Sequence, residues 1–205
     1  YDQAGSNDAV QTTAANQPQL AASGVLLADG LDFDGTNDRL VSSSGVTITT
    51  STDISFSVVG ESDDITSTQT IISQKSGTGQ GRSWTDIVSS NFRSSIGGTA
   101  KTFGAVNPNG NQFLFTYILD ESANTADAFR DAAPSGSQQT VNNAEAADGE
   151  IVIGANNGES GQFLNGHIKE IIVYTSDQTD NRFKIESNIN NYYSLYNDAN
   201  DSDSV

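Results

Sequence analysis

The residues able to do chemistry together are few in this sequence. Two pairs of acids stand two residues apart, Glu61-Ser62-Asp63 and Asp148-Gly149-Glu150. Alternation along a strand would put both members of a pair on one face, which is what acid/base work on a glycosidic bond requires. Both pairs, however, read as turn-like segments. The single histidine, His167, would have to be the base of any Ser-His-Asp set, and no nucleophile-elbow sequence accompanies it. Cysteine is absent, so thiol catalysis, disulfides and Cys-ligated metals are excluded. The chain is expected not to be an enzyme.

Binding chemistry has better material. Hard cations such as calcium take several oxygen ligands from carboxylates, amides and carbonyls. Asp2 with the turn Gly5-Ser6-Asn7-Asp8, and Asp34 with Asn37 and Asp38, could supply them. The candidate metal ligands are therefore Asp2, Asp8, Asp34 and Asp38; the alternative is that these side chains bond the local backbone in Asx turns. No EF-hand run occurs. Sugar binding uses aromatic platforms beside amides. Trp84, the sole tryptophan, follows a Gly-rich run, and Arg82, Tyr117, Asn109 and Asn111 could lie near one rim. The competing role for Trp84 is core packing.

The whole chain narrows these options. Nine Lys+Arg against 26 Asp+Glu leave a formal charge of −17 over 205 residues. That argues against nucleic acid, which needs clustered cations, and against an anionic membrane surface. No apolar stretch approaches the roughly 18 residues of a membrane span. Of the acids, 19 are Asp and 7 are Glu, a choice that favours turns over helices. Methionine is absent, so a processed product or a piece of a longer chain is expected. An acidic, turn-rich chain without cysteine reads as an extracellular-type β protein.

Period-two alternation supplies the elements that must hold these residues. Leu31 and Phe33 alternate with Asp32 and Asp34, and a turn at Gly35-Thr36-Asn37-Asp38 precedes Arg39 to Ser42, so 31–42 reads as a hairpin. Ile54, Phe56 and Val58 form a strand with one apolar face, and Phe113 to Leu119 is apolar on both faces. Shorter strands centre on Ile71-Ile72, Trp84 to Val88, Phe92 to Ile96, Ala126 to Arg130, Gln138 to Val141 and Ile151 to Ile153, with a longer one at His167 to Tyr174. The period then changes. Ile185, Ile189, Tyr192, Tyr193 and Tyr196 recur at helical steps, so a helix over about 179–196 is expected. Its tyrosines would cover the sandwich or, at their exposed edges, dock on a neighbouring subunit. Ten to twelve strands and one helix pack best as a two-sheet antiparallel jelly-roll sandwich, one all-β domain over 1–197 with a polar tail at 198–205.

Three segments carry a resemblance. They are Tyr1-Asp2-Gln3-Ala4-Gly5-Ser6-Asn7-Asp8-Ala9 with Gln11 to Pro18, Leu31-Asp32-Phe33-Asp34-Gly35-Thr36-Asn37-Asp38-Arg39-Leu40, and Ile151 to Asn156 with Phe163 to Tyr174. Together they resemble laminin-G-like domains of the concanavalin A-like lectin/glucanase superfamily, in particular those of bacteriophage structural proteins and bacterial surface proteins. The resemblance implies a jelly roll, often with calcium, that binds glycan or assembles with other structural subunits, as a homo-oligomer. The related glucanases carry a glutamate-x-aspartate-x-x-glutamate strand, and neither acidic pair here completes it. Independently of the family, Phe33 is expected to plug the core, Asp34 and Asp38 to bond backbone N–H groups, Gly166 to permit a close approach, and Ile168 and Ile172 to face inward.

Overall fold

The computed structural model describes residues 2–3, 5–75, 82–96, 99–107, 109–141 and 147–197; the side chains of Arg82 and Ser83 lie outside that description, as do the expected Ser76 to Gly81 turn and the 198–205 tail. In chain order the strands are β1 (Ala9–Val10), β2 (Ala21–Ala22), β3 (Val25–Leu26), β4 (Leu31–Asp34), β5 (Leu40–Ser42), β6 (Ile54–Ser62), β7 (Gln69–Gln74) and β8 (Arg82–Val88). There follow β9 (Asn91–Ser94), β10 (Lys101–Ala105), β11 (Phe113–Asp120), β12 (Thr125–Arg130), β13 (Ala133–Pro134), β14 (Gln139–Thr140), β15 (Ile151–Ile153) and β16 (Asn165–Tyr174), then α1 (Arg182–Tyr193).

Two large antiparallel sheets make the expected jelly-roll sandwich. One runs β1-β5-β15-β7-β8-β9-β10, the other β13-β12-β11-β6-β16-β4, with β14 also on β12. Their inner faces meet in one aromatic core. Phe56 stacks on Tyr117 at 5.3 Å and tilts against Trp84 at 5.7 Å, while Phe92 stacks on Phe115 at 4.1 Å. Offset and tilted ring pairs of this kind add to the burial of the rings themselves.

Residues 31–42 are not a hairpin. β4 pairs with β16 in one sheet and β5 pairs with β1 and β15 in the other, so the turn between them carries the chain across the sandwich. The turn is built as its residues suggest. Asp34 Oδ1 accepts the N–H groups of Thr36 and Asn37, Asp38 Oδ2 accepts that of Asp34, and Gly35 takes φ +72°. The direction change comes from a bond the local sequence does not contain, Gly35 N–H to Leu164 O at 2.8 Å. Phe33 is fully buried, and a Cβ at Gly154 would overlap its ring.

β16 departs from simple alternation. A bulge between Ile168 and Glu170 shifts its register on β6, and an extra residue flips the side-chain parity beyond it. Ile168, Ile171 and Val173 therefore pack on the central core, whereas Ile172 lies on the outer face with Val59, Leu114 and Ile189. The inward expectation for Ile172 is corrected on that ground. Gly166 (φ +149°) sits where any Cβ would overlap Glu61 O.

The outer face of the second sheet is where α1 packs. This explains why β6 is buried on both faces, against the one-faced expectation: Ser55, Ser57 and Val59 lie under the helix side. Asp177 Oδ1 accepts Thr179 N–H at the entry to the 3-10 turn (Thr179–Asn181) that leads into the helix. Ile185, Tyr193 and Tyr196 pack with Ile189, and Tyr192 stays 80% exposed.

Candidate functional site

Of the aromatic candidates, neither forms a surface platform. Trp84 is 0% and Tyr117 1% exposed; both point into the core, so their role is packing and the sugar-platform reading is corrected. Burial pushes the Tyr117 hydroxyl far up, and the charges of Glu121 and Asp127 act the same way. Asn109 and Asn111 are exposed, and Asn109 Oδ1 accepts Ile65 N–H while Asn111 Nδ2 donates to Asn109 O. They lie just before β11, beside the 62–67 turn, and do not converge with Trp84 or Tyr117. Arg82 stands opposite Gln74 in register, and its side chain lies outside the described residues.

The metal candidates are occupied with backbone work. Asp2 accepts Gly5 N–H on Oδ1 and Asn7 N–H on Oδ2, and Asp8 Oδ1 accepts Asp2 N–H. Asp34 and Asp38 hold the crossing turn as described, and Asp38 is only 7% exposed, its carboxyl pushed up by burial. Among the described residues no three acidic or imidazole side chains converge on a cation position. Asp2, Asp8, Asp34 and Asp38 thus each bond the local backbone, as the Asx-turn alternative has it.

The neighbouring 62–67 turn uses the same chemistry more heavily. Asp64 Oδ1 accepts the N–H and hydroxyl of Thr66 and the N–H of Ser67, and Oδ2 accepts the Ser67 hydroxyl at 2.6 Å. These bonds, the Ser67 hydroxyl foremost, hold the carboxyl well below the usual range. A carboxylate with a depressed folded-state pKa contributes stability above its unfolded pKa and loses it as pH falls. Asp64→Asn is therefore expected to melt below the parent at pH ~7, with the gap closing below about pH 4. Thermal melts at both pH values check this; a gap that persists unchanged in acid contradicts it.

His167 lies in a row across three adjacent strands. In register, Asp32 on β4 faces it from one side and Glu61 on β6 from the other, at 3.8 Å from Nε2 and 3.9 Å from Nδ1. Burial pushes the Glu61 carboxyl up. The two imidazole nitrogens face opposite carboxylates, so the three groups cannot close on one metal. Glu61 is in a strand, not a turn, and Glu150 pairs with Lys75 at 2.9 Å.

A shallow hollow among the described residues lies at the other end of β6 and β11. It has a volume of ≈ 370 Å³ and is lined by Thr50, Ser51, Asp53, Glu121, Ser122 and Asn124. Two polar turns build it, 49–53 entering β6 and 120–124 leaving β11. β6 and β11 are antiparallel neighbours with Ile54 opposite Leu119, so the turns must meet. Asp53 Oδ1 accepts Glu121 N–H at 2.9 Å and staples them together. Thr52 Oγ1 accepts Thr49 N–H, and Asp120 Oδ1 accepts Ala123 N–H and the Ser122 hydroxyl. Glu121 is 7% exposed, while Thr50, Ser51, Ser122 and Asn124 are exposed. Hydroxyl, amide and carboxylate groups around a shallow hollow can exchange hydrogen bonds with a polyol. None of these residues was singled out from sequence. The signal for them was a Thr/Ser/Asp run ahead of one apolar strand and an Asp-Glu-Ser run behind another, which locates a site only once the strands are known to pair.

No protein-family model matches the chain, and no curated protein matches it significantly. Solved structures do. Trypanosoma rangeli sialidase in complex with sialic acid is similar at 13% identity over 84% of this chain and 28% of that one, with TM-score 0.55. The native heptameric SAP-like pentraxin of Limulus polyphemus is similar at 13% identity over 74% of this chain and 77% of that one, with TM-score 0.56. The chain spans just over a quarter of the sialidases it matches. At this identity the likeness establishes the fold alone, a two-sheet jelly-roll sandwich.

Proposed function

We propose that this chain is a non-enzymatic glycan-binding module, laminin-G-like in kind, on a virion or cell exterior. The observation that supports this is the ≈ 370 Å³ polar hollow at one rim of a lectin-like sandwich, walled by Ser, Thr, Asn, Asp and Glu side chains. The contacts it offers are individually weak, and adhesion would come from several copies acting together. On this reading bound glycan should remain intact.

The test is a glycan array probed with a tetramerised chain. Hits are expected, and Asp53→Asn and Ser51→Ala should each weaken them. Loss of a hydrogen bond to a charged group, about 1.5–3 kcal/mol, corresponds to roughly tenfold or more for Asp53→Asn. An array without hits removes the glycan reading.

A second reading, an assembly module in a homo-oligomer or larger structure, rests on a different observation. Leu20, Val25 and Leu26 in and beside the β2–β3 hairpin are 56%, 69% and 70% exposed. Aromatic and aliphatic side chains left in water suit contact with another subunit. That reading would show as self-association in sedimentation, with no sugar dependence.

A further inference from the structure

An asparagine side chain followed by glycine can react with its own backbone, because glycine places no Cβ in the way of the attacking nitrogen. The chain has three such dipeptides, Asn109-Gly110, Asn157-Gly158 and Asn165-Gly166. The reaction needs the glycine N–H free to lose its proton and the asparagine carbonyl free to turn towards it. A hydrogen bond on either group holds it back, and the fold supplies such restraint at two of the three sites.

Asn109 Oδ1 accepts Ile65 N–H at 3.0 Å, and Gly110 N–H donates to Ser62 O at 3.0 Å, so both reacting groups are engaged. Asn165 N–H donates to Gln69 Oε1 at 2.8 Å, and Gly166 is buried, paired with Phe33 on β4 and Ser62 on β6. A peptide held between two strands is not free to rotate onto a side chain. Asn157-Gly158 differs. Among the described residues nothing hydrogen-bonds to the Asn157 side chain or to Gly158 N–H, and Gly158 is exposed with Asn157 half-buried. The flanking chain is pinned: Asn156 N–H donates to Gly161 O at 3.1 Å, Glu159 N–H to Asn156 O at 2.9 Å, and Ser160 N–H to Asn156 Oδ1 at 3.1 Å. The freedom is confined to the dipeptide.

We infer that Asn157 is a self-modification site, converted to aspartate and isoaspartate by attack of the Gly158 nitrogen, while Asn109 and Asn165 persist. The Gly158 nitrogen gives its proton to solvent and bonds to Asn157 Cγ, closing a succinimide ring, and the amide nitrogen leaves as ammonia. Water then opens the ring. Breaking the new N–Cγ bond gives aspartate; breaking the bond to the backbone carbonyl gives isoaspartate, which routes the main chain through the side chain. No electrons are transferred, and water is the only co-reactant. The change falls beside Glu159, which accepts from Arg39 Nε at 3.0 Å and pairs with Lys75, so it touches the ion pairs that tie this loop to the residues before β5 and after β7. The inference does not depend on the glycan-binding reading.

The experiment incubates the native chain in warm, mildly alkaline buffer and a parallel sample unfolded in guanidinium chloride. Samples taken over time are digested and read by mass spectrometry, with fragmentation that separates isoaspartate from aspartate. In the native chain Asn157 is expected to convert at least about tenfold faster than Asn109 or Asn165, the ratio that freedom from one or two hydrogen bonds implies. In the unfolded chain the three should convert at comparable rates. Gly158→Ala should fold, because a Cβ there first meets the rotatable Ser160 Oγ at 3.3 Å, and should slow conversion at Asn157 by about tenfold. Native conversion at Asn157 no faster than at the other two, the same ranking in the unfolded chain, or the parent rate in Gly158→Ala would each overturn the inference.

Discussion

Arg182→Ala should destabilise the chain by about 3–5 kcal/mol at neutral pH, the usual cost of stranding one member of a buried ion pair. Arg182 is 8% and Glu186 1% exposed, and Arg182 Nη1 donates to Glu186 Oε2 one helical turn away. The guanidinium lies between two rings, 3.7 Å from the Phe129 centroid and 3.9 Å from that of Phe183. It also reaches Ala132 O at 3.3 Å, so one side chain ties α1 to the turn after β12. Removing it leaves Glu186 charged between helix and sheet. Burial already pushes the Glu186 carboxyl up, and Arg182 opposes that shift. A carboxyl with a raised folded-state pKa contributes stability below its unfolded value, about 4.3, and loses it as pH rises through the folded value. Without Arg182 the folded value climbs further, so the deficit should be fully expressed at pH ~7 and shrink towards pH ~4. Urea unfolding at the two pH values measures this. The paired Arg182→Met, Glu186→Leu change should recover most of the loss; a double variant as unstable as Arg182→Ala would show that stacking, not charge, holds the helix.

Phe33→Ala should cost a similar amount, about 3–5 kcal/mol, by opening a cavity in the core. Phe33 is fully buried, and Gly154 lies so close that a side chain there would collide with its ring. The ring is therefore the plug at which the turn from β4 to β5 and the chain after β15 meet. At this chain length each kcal/mol moves the melting temperature by about 2–4 °C, so a drop on the order of 10 °C is expected in calorimetry. Asp34→Ala, which removes only turn bonds at the exposed side of the same segment, should cost about 1 kcal/mol. If the two variants melted alike, Phe33 would be a turn residue and not a core residue.

These residues mark how far reading from sequence reaches. Phe33, Phe56, Phe113 and Phe115 were legible as core because strand alternation is a local property. The Asp34–Asp38 turn was legible because its donors and acceptors lie within four residues of one another. Lys101–Ala105 was missed, as it offers one large apolar residue, Phe103, in five. Ile172 was placed inward because a bulge leaves no mark in composition; the extra residue is stabilised by the partner strand, not by its own type.

Sequence by itself determined that this chain is an acidic, cysteine-free, all-β sandwich closed by one helix, since charge, alternation and helical period are written residue by residue. Only the tertiary structure decided that 31–42 crosses between sheets, that Trp84 is interior, that the four chosen aspartates serve turns, and that Asp53 and Glu121 share a hollow. Each of those depends on which strands pair, and pairing is settled by burying both sheet faces at once, over separations such as the 68 residues from Asp53 to Glu121.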